Sequence, residues 1–244
     1  MGKYSNTEEV ASRTMVLFFV VDTSGSMDGI KIGTVNESIK NVIPEIQQIS
    51  ESTADAKIKI AALKFSTGAE WLYPNPIEAE NFKWRYLDAE GVTDFGAANK
   101  ELKEKLSRKT GFMDAASGSF APAIFLLSDG LPTDDYRDSI EQLKNNSWFK
   151  SAIKVALAIG PDANEDILAE FTGTKETVIR VYTPEALAKL IRFIAITSSQ
   201  IGSNSQDANA AGKTKQEVVA EQLQTYVADQ LNDYGKDAWD NEFP

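Results

Sequence analysis

The sequence predicts an α/β fold with a doubly wound, mostly parallel sheet flanked by helices and followed by a C-terminal helical tail. Segments with strand patterns and helix patterns alternate along the chain, which is typical of a parallel sheet covered by helices on both faces. Residues 15–21 form an unbroken apolar run, and such a run predicts a strand buried on both faces. The 244 residues, 42% of them hydrophobic, are enough to bury a full core.

The other elements follow from local patterns in chain order. Apolar residues at three- and four-residue spacing between Val35 and Ile49 predict a helix on the sheet. Alternating apolar residues predict a strand at residues 58–65, and residues 71–73 read as a short edge strand that Pro74 stops. Residues 77–92 have no clear pattern. The later elements are helices at 95–106, 136–143, 165–171 and from Pro184 to about 198, and strands at 123–127, 155–159 and 178–181.

Composition divides the chain into four segments. Residues 1–13 are polar and are expected to be loose, and residues 14–201 form the predicted domain. Residues 202–214 have the composition of a linker, and residues 215–244 form an acidic, helical tail. Its apolar stripe either packs back on the domain or binds a partner protein; the stripe comprises Val219, Leu223, Val227 and Leu231.

The residue types that are absent exclude several functions. The chain has 0 Cys and 0 His, which excludes disulfides, Cys/His zinc sites and Ser-His-Asp or Cys-His catalytic groups. A net charge of −11 argues against nucleic-acid binding. No apolar stretch approaches the roughly 20 residues of a membrane span, and the run at 15–21 is too short for a secretory signal. We therefore expect a cytoplasmic protein.

The most informative motif directly follows the first strand. Asp22-x-Ser24-x-Ser26 places three oxygen-bearing side chains on one turn, and Gly25 permits the bend. Oxygen ligands of this kind suit a hard divalent cation, and ligand sites in parallel sheets lie beyond the carboxyl ends of the strands. Thr93, before a predicted helix, and Asp129, after a second buried strand, add oxygen-bearing groups of the same kind. The alternative is that these residues only cap helices and end strands.

Together these residues resemble a known family. Asp22, Ser24, Ser26, Thr93 and Asp129 match the metal-ion-dependent adhesion site of von Willebrand factor A (VWA) domains over roughly residues 14–200. The resemblance implies that the hydroxyls of Ser24, Ser26 and Thr93 contact a Mg²⁺ ion, with Mn²⁺ or Ca²⁺ as alternatives. It also implies that the two aspartates act mainly through water or by hydrogen-bonding the ligands.

The surrounding residues are most similar to those of the bacterial tellurium-resistance (TerY-like) VWA proteins. The segments that carry this narrower resemblance are residues 22–29, 35–36, 43–45 and 127–135. It implies a scaffold in a bacterial stress-response complex, with a protein kinase or a PP2C-type phosphatase as partner. Other bacterial VWA proteins work with MoxR-type AAA+ ATPases, which is the alternative partner.

A metal held mainly by neutral hydroxyls stays electrophilic, so it should bind an Asp or Glu carboxylate of a partner protein. The alternative is a metal-dependent hydrolase or phosphatase, which needs a general base. Without histidine, that base would come from Asp28, Asp94 or Asp134, and each of these more simply caps a helix or faces solvent. Residues 132–135 are expected to cap the helix that starts at 136. The sequence therefore predicts a binding module that is not an enzyme.

A pair of short motifs resembles part of a serine hydrolase. Ser147-x-x-Lys150 and Lys109-Thr110-Gly111 occur in the reverse of the order found in penicillin-binding proteins, and we interpret both as chance matches.

Overall fold

The computed structural model describes residues 13–52, 56–113, 118–203 and 213–230. The strands in these ranges are β1 (Arg13–Asp22), β2 (Ala56–Ser66), β3 (Gly68–Trp71), β4 (Ile77–Glu78), β5 (Ala123–Ser128), β6 (Ile153–Ile159) and β7 (Val178–Val181). The helices are α1 (Ile30–Ser52), α2 (Phe95–Lys105), α3 (Arg137–Lys144), α4 (Ser147–Ser151), α5 (Glu165–Thr172), α6 (Pro184–Ser203) and α7 (Lys215–Gln230).

The strands form one mostly parallel sheet with the order β3-β2-β1-β5-β6-β7, and β4 also pairs with β2. β1 lies in the middle and pairs in parallel with both β2 and β5, whereas β3 and β4 are antiparallel to β2. The arrangement confirms the predicted fold class, a parallel sheet flanked by helices.

The unbroken apolar sequence of β1 is explained by two separate cores. Val16, Phe18 and Val20 pack into the layer on one face of the sheet. The intervening residues pack into the layer on the other face, and they are Met15, Leu17, Phe19 and Val21. Because both faces are covered, the positions of β1 from Met15 to Val21 are all buried and all apolar.

The connections place a crevice beside the end of β1. From β1 the chain passes through α1 to β2 on one side, and it later crosses to β5 on the other side. The carboxyl ends of β1 and β5 are therefore neighbours at the point where the strand order reverses. Open α/β sheets bind their ligands at such a point.

Residues 77–92, which had no sequence pattern, are positioned by a buried asparagine. They form β4, a short 3₁₀ turn at Ala79–Asn81 and then a segment without regular secondary structure. The Asn36 side chain donates to Leu87 O at 2.8 Å, and its oxygen accepts from Leu87 N at 2.9 Å and from Trp84 Nε1 at 3.1 Å. A long-range contact of this kind fixes a segment that has no local preference.

The C-terminal helix α7 packs on the domain, which is one of the two predicted alternatives. Val219 and Leu223 are fully buried in the core, and the Tyr226 ring stacks on Phe193 with centroids 4.3 Å apart. The Gln216 side chain accepts from Lys154 N at 2.9 Å and donates to Lys154 O at 2.8 Å, so it satisfies both backbone groups of this residue near the start of β6. The rest of the predicted tail, including Leu231, lies outside the described residues.

Two further expectations concern the end of α6 and the presence of membrane-spanning helices. α6 continues to Ser203 and is thus longer than the predicted helix, which ended near residue 198. It also extends into the predicted linker; the remainder of the linker before Lys213 lies outside the described residues. Within the parts of the chain that the structure describes, no helix has the length and apolarity needed to cross a membrane.

Lys154 on β6 is a buried lysine whose pKa is shifted toward neutral pH. Its Nζ donates to the carbonyl oxygens of Ala152 and Phe149 at 2.9 and 3.0 Å, without a carboxylate partner among these bonds. Burial lowers the pKa of this ammonium from 10.5 to about 8.

This pKa predicts a pH-dependent contribution to stability. Between pH 8 and 10.5 the unfolded chain holds a proton on this lysine that the folded chain has lost, so stability should rise with pH in that window. We expect the unfolding free energy of the wild type, measured relative to Lys154→Met, to rise by roughly 3 kcal/mol across the window and to be flat below it. Urea unfolding at several pH values checks this. The exposed Lys57→Met variant is the control. If the difference in unfolding free energy between the wild type and Lys57→Met rises equally across the window, the assignment of the effect to Lys154 is contradicted.

Candidate metal centre

The five residues singled out by the sequence lie on three loops at the carboxyl end of the sheet. Asp22 is the last residue of β1, and Ser24 and Ser26 lie in the turn that follows it. Thr93 lies just before α2, and Asp129 directly follows β5. Asp22, Ser24, Thr93 and Asp129 are buried, whereas Ser26 is exposed. Four of the five side chains therefore lie in the interior, and the Ser26 hydroxyl lies at the surface.

The carboxylate of Asp22 connects the first loop to the third. Its Oδ1 accepts a hydrogen bond from Ser24 N at 2.9 Å, and its Oδ2 accepts one from Ser128 Oγ at 2.6 Å. Burial raises the pKa of Asp22 to about 6; these hydrogen bonds oppose the rise and the charge of Asp129 adds to it. The two aspartates thus lie close enough to repel each other.

The second loop is joined to the first by backbone hydrogen bonds. Gly25 N donates to Gly91 O at 3.0 Å, and Glu90 N donates to Thr23 O at 2.8 Å. Gly91 has a φ of +77°, and a Cβ there would lie 2.5 Å from Thr67 Oγ1. A glycine is needed at this position for both reasons. These contacts hold the two loops side by side.

The third loop supports Thr93 from the other side. Thr133 Oγ1 accepts from Thr93 N at 3.0 Å, and Thr133 N donates to Thr93 O at 3.0 Å. The carboxylate of Asp134 accepts from Phe95 N and Gly96 N at 3.0 and 2.8 Å, which are free N–H groups at the start of α2. Thr93 is therefore held by the loop after β5 as well as by its own.

The prediction that residues 132–135 cap the following helix is wrong. The residue before α3 is Tyr136, which makes no side-chain capping bond, and Asp134 instead caps α2. The reason is tertiary, because the loop after β5 passes the N-terminus of α2. Sequence spacing gives no sign of this.

Lys31, on the first turn of α1, is a residue of the site that the sequence analysis missed, as is Ser128, which donates to Asp22. Lys31 is buried, and its Nζ lies 3.1 Å from Asp129 Oδ2 and 2.8 Å from Asp162 Oδ1. A lysine near the start of an amphipathic helix normally faces solvent, so the sequence carries no signal for this contact. The other oxygen of Asp129, Oδ1, is buried and has no hydrogen-bond partner among the described residues.

The arrangement fits a divalent cation on two grounds. Ser24 Oγ and Ser26 Oγ lie 3.1 Å apart, and neighbouring oxygen ligands of an octahedral Mg²⁺ are about 3 Å apart. Asp129 Oδ1 is a buried acceptor without a donor, which is costly unless a cation or a water satisfies it. Among the described residues no group of three or more His, Cys, Asp or Glu residues is placed to hold a metal ion.

Two of the other acidic residues that a hydrolase could use have structural contacts or exposure instead. Asp94 accepts from Ala97 N at 2.8 Å and caps α2, as the sequence predicted. Asp28 is exposed on the turn before α1. Neither is placed as a buried base.

The two serine-hydrolase-like motifs meet in a cleft away from the site. Ser147, Lys109 and Thr110 line a cavity of about 1040 Å³ between α2 and α4, and none of the five predicted site residues lines it. Lys150 is exposed and, among the described residues, makes no hydrogen bond to Ser147. A general base for that serine would have to be close to it.

The amino-acid sequence matches a known family of domains. The family model for the von Willebrand factor type A domain matches residues 17–193. A search of curated proteins found no match.

Three solved structures illustrate the similarity in fold. A von Willebrand factor type A protein from Catenulispora acidiphila is 21% identical over 77% of this chain and 43% of its own, with a TM-score of 0.56. The ArnB paralog VWA2 from Sulfolobus acidocaldarius is 22% identical over 75% and 45%, with a TM-score of 0.52. Proximal thread matrix protein 1 from the mussel byssus, with a zinc-occupied MIDAS motif, is 15% identical over 78% and 48%, with a TM-score of 0.55. The chain spans less than half the length of each of these proteins.

The contacts of Asp134 generate a prediction with a matched control. Asp134→Ala should lower the unfolding free energy by about 1–2 kcal/mol, because two N–H groups at the start of α2 lose their acceptor. The neighbouring Asp135 is exposed and forms an ion pair with the exposed Arg137, so Asp135→Ala should change the unfolding free energy by less than about 0.5 kcal/mol. Urea unfolding of the two variants measures the difference, and equal values would contradict the capping role.

Proposed function

Because the chain belongs to the von Willebrand factor type A family, we propose that it is a non-enzymatic protein-binding module that uses a divalent metal to hold its partner. Domains of this family commonly mediate metal-dependent protein interactions. The observation that carries the proposal is the buried and unpartnered Oδ1 of Asp129 at the end of β5, beside the loop that holds Ser24 and Ser26. An acceptor left in this way needs a positive group, and a bound cation supplies one.

In the proposed site, the hydroxyls of Ser24, Ser26 and Thr93 hold the metal, and Asp22 and Asp129 support it through water or hydrogen bonds. Asp22 is suited to this supporting role because both of its oxygens already accept hydrogen bonds. We propose Mg²⁺ as the ion, with Mn²⁺ or Ca²⁺ as alternatives, since oxygen ligands suit all three. When bound, the metal supplies a positive centre that attracts an oxygen anion.

The proposed ligand is an Asp or Glu side chain of another protein. The exposure of Ser26 supports this proposal, since a side chain from another protein can reach that residue. The hydroxyl ligands carry no charge, so they do not neutralise a bound ion, and a carboxylate from outside would do so. The net charge of −11 gives no long-range attraction to an acidic partner, which leaves the metal as the source of affinity.

The absence of an enzymatic role is part of the proposal. Metal-assisted hydrolysis needs a general base as well as a metal. Asp94 and Asp134 both accept hydrogen bonds from the N-terminus of α2, and they are therefore engaged in structure. These contacts favour a binding module over a phosphatase or other hydrolase.

The cellular setting we propose is a bacterial stress-response complex like that of the tellurium-resistance VWA proteins, with a kinase or PP2C-type phosphatase as partner. It is supported by the similarity of the residues around the site to that group, and one of those residues, Asn36, fixes the segment that leads to Thr93. A MoxR-type AAA+ ATPase is the alternative partner.

Metal binding is the first test. Millimolar Mg²⁺ or Mn²⁺ added to chelated protein should raise its melting temperature, because a ligand at about 100 times its Kd stabilises by roughly 2.7 kcal/mol. Ser24→Ala and Asp22→Ala should remove the shift, whereas Ser147→Ala, which changes an exposed serine on α4, should keep it. Differential scanning calorimetry with and without EDTA measures this. Identical wild-type curves in both conditions would contradict the metal site.

Partner capture is the second test, and it separates Thr93 from the serine turn. A pull-down from the native cell should retain a partner in Mg²⁺ and lose it in EDTA.

Thr93→Ala should keep Mn²⁺ binding, measured by EPR, but recover less partner, because Ser24 and Ser26 lie on another loop. Asp22→Ala should lose both, and added salt should not weaken capture much. A partner retained equally in EDTA would argue against capture through the metal.

A further inference from the structure

Lys31 places a fixed positive charge against the proposed metal site. Its Nζ lies 3.1 Å from Asp129 Oδ2, and the residue is only 8% exposed. Its second partner, Asp162, lies on the loop after β6 and has a side chain that is 54% exposed. Because the Asp162 carboxylate is exposed to solvent, it offsets the positive charge of Lys31 less than the buried Asp129 carboxylate does.

The position of Lys31 is built into the fold. Gly160, directly after β6, has a φ of +93°, and a Cβ there would lie 2.5 Å from Lys31 Cε. A side chain at residue 160 would therefore displace the lysine, and the glycine leaves room for its aliphatic chain. In this way the loop after β6 and the first turn of α1 together hold the ammonium against Asp129.

The lysine divides the two oxygens of Asp129 between two tasks. Oδ2 is the acceptor for Lys31, whereas Oδ1 has no partner among the described residues and is the oxygen left to support a cation. The backbone oxygen of Asp129 is also occupied, since it accepts from Asn164 N at 2.7 Å. The carboxylate is thus held in one orientation, and its charge is partly neutralised before any metal arrives.

We propose that Lys31 is a built-in competing cation that weakens metal binding until a partner's carboxylate adds its negative charge. The inference rests on the proposed metal-dependent function. An ammonium on Asp129 lowers the attraction of the site for a divalent ion because it offsets part of the carboxylate's negative charge. A bound metal then keeps more of its own charge, and an anionic ligand is needed to stabilise it. Metal and acidic partner should consequently bind with positive cooperativity.

The test uses Mn²⁺ alone as the probe and the full chain as the protein. Calorimetric or EPR titration should show that Lys31→Met binds Mn²⁺ at least tenfold more tightly than the wild type, because the competing charge is gone. Lys40→Met is the matched control: it removes an exposed lysine from the same helix and should leave the Kd unchanged.

A second variant moves the affinity in the opposite direction. Asp162→Asn leaves Lys31 in contact with Asp129 but removes its other negative partner, so Mn²⁺ should bind about two- to fivefold more weakly. This variant changes a half-exposed side chain and keeps its shape, so it tests the charge even where Lys31→Met fails to fold.

The outcomes distinguish this inference from the function on which it rests. If the wild type binds Mn²⁺ and Lys31→Met binds it equally or less tightly, Lys31 only positions Asp129, and the inference is overturned while the metal site stands. The inference is likewise overturned if Asp162→Asn binds Mn²⁺ as tightly as the wild type. If the wild type binds no Mn²⁺, the proposed function fails and the inference fails with it.

Discussion

A carboxylate without any exposed surface sits at the end of the central strand, and the loops around it are arranged to keep it there. Burial of an unpaired carboxylate costs several kcal/mol, and hydrogen bonds from Ser24 N and Ser128 Oγ offset part of that cost for Asp22. One of these donors belongs to the loop after β1 and the other to the end of β5. The same bonds that make the burial tolerable therefore set the distance between two of the three loops of the site.

The regular part of the fold could be predicted because its signals are local. The apolar run of β1 indicates burial on both faces, and the two core layers account for every residue in it. The motif from Asp22 to Ser26 is contiguous, and Thr93 and Asp129 follow from their places before a helix and after a buried strand. That a metal binds these residues stays a prediction, although the structure places all five at one end of the sheet.

The parts that sequence could not predict depend on contacts between distant segments. Asp134 was expected to cap the next helix, but the loop packs so that it caps α2 instead. Residues 77–92 gave no pattern because Asn36, far away in the sequence, determines their path. Lys31 is the strongest case, since its role depends on two loops and on a glycine after β6. The periodicity of apolar residues predicts which face of a helix or strand is buried. It does not predict which polar side chain of one segment contacts a distant segment, and all of these contacts are of that kind.

The docking of α7 has a practical consequence for the orientation of the molecule. Gln216 pairs with Lys154 near the start of β6, and Gln224 donates to Glu176 O just before β7, so the helix is attached at the amino ends of these strands. The site loops lie at the opposite ends, about 20 Å away along a seven-residue strand. Because the chain contains no cysteine, a thiol introduced by Gln222→Cys, at an exposed position of α7, would be a unique attachment point. Protein immobilised through it on a sensor surface would present its serine turn to the solution in a single orientation.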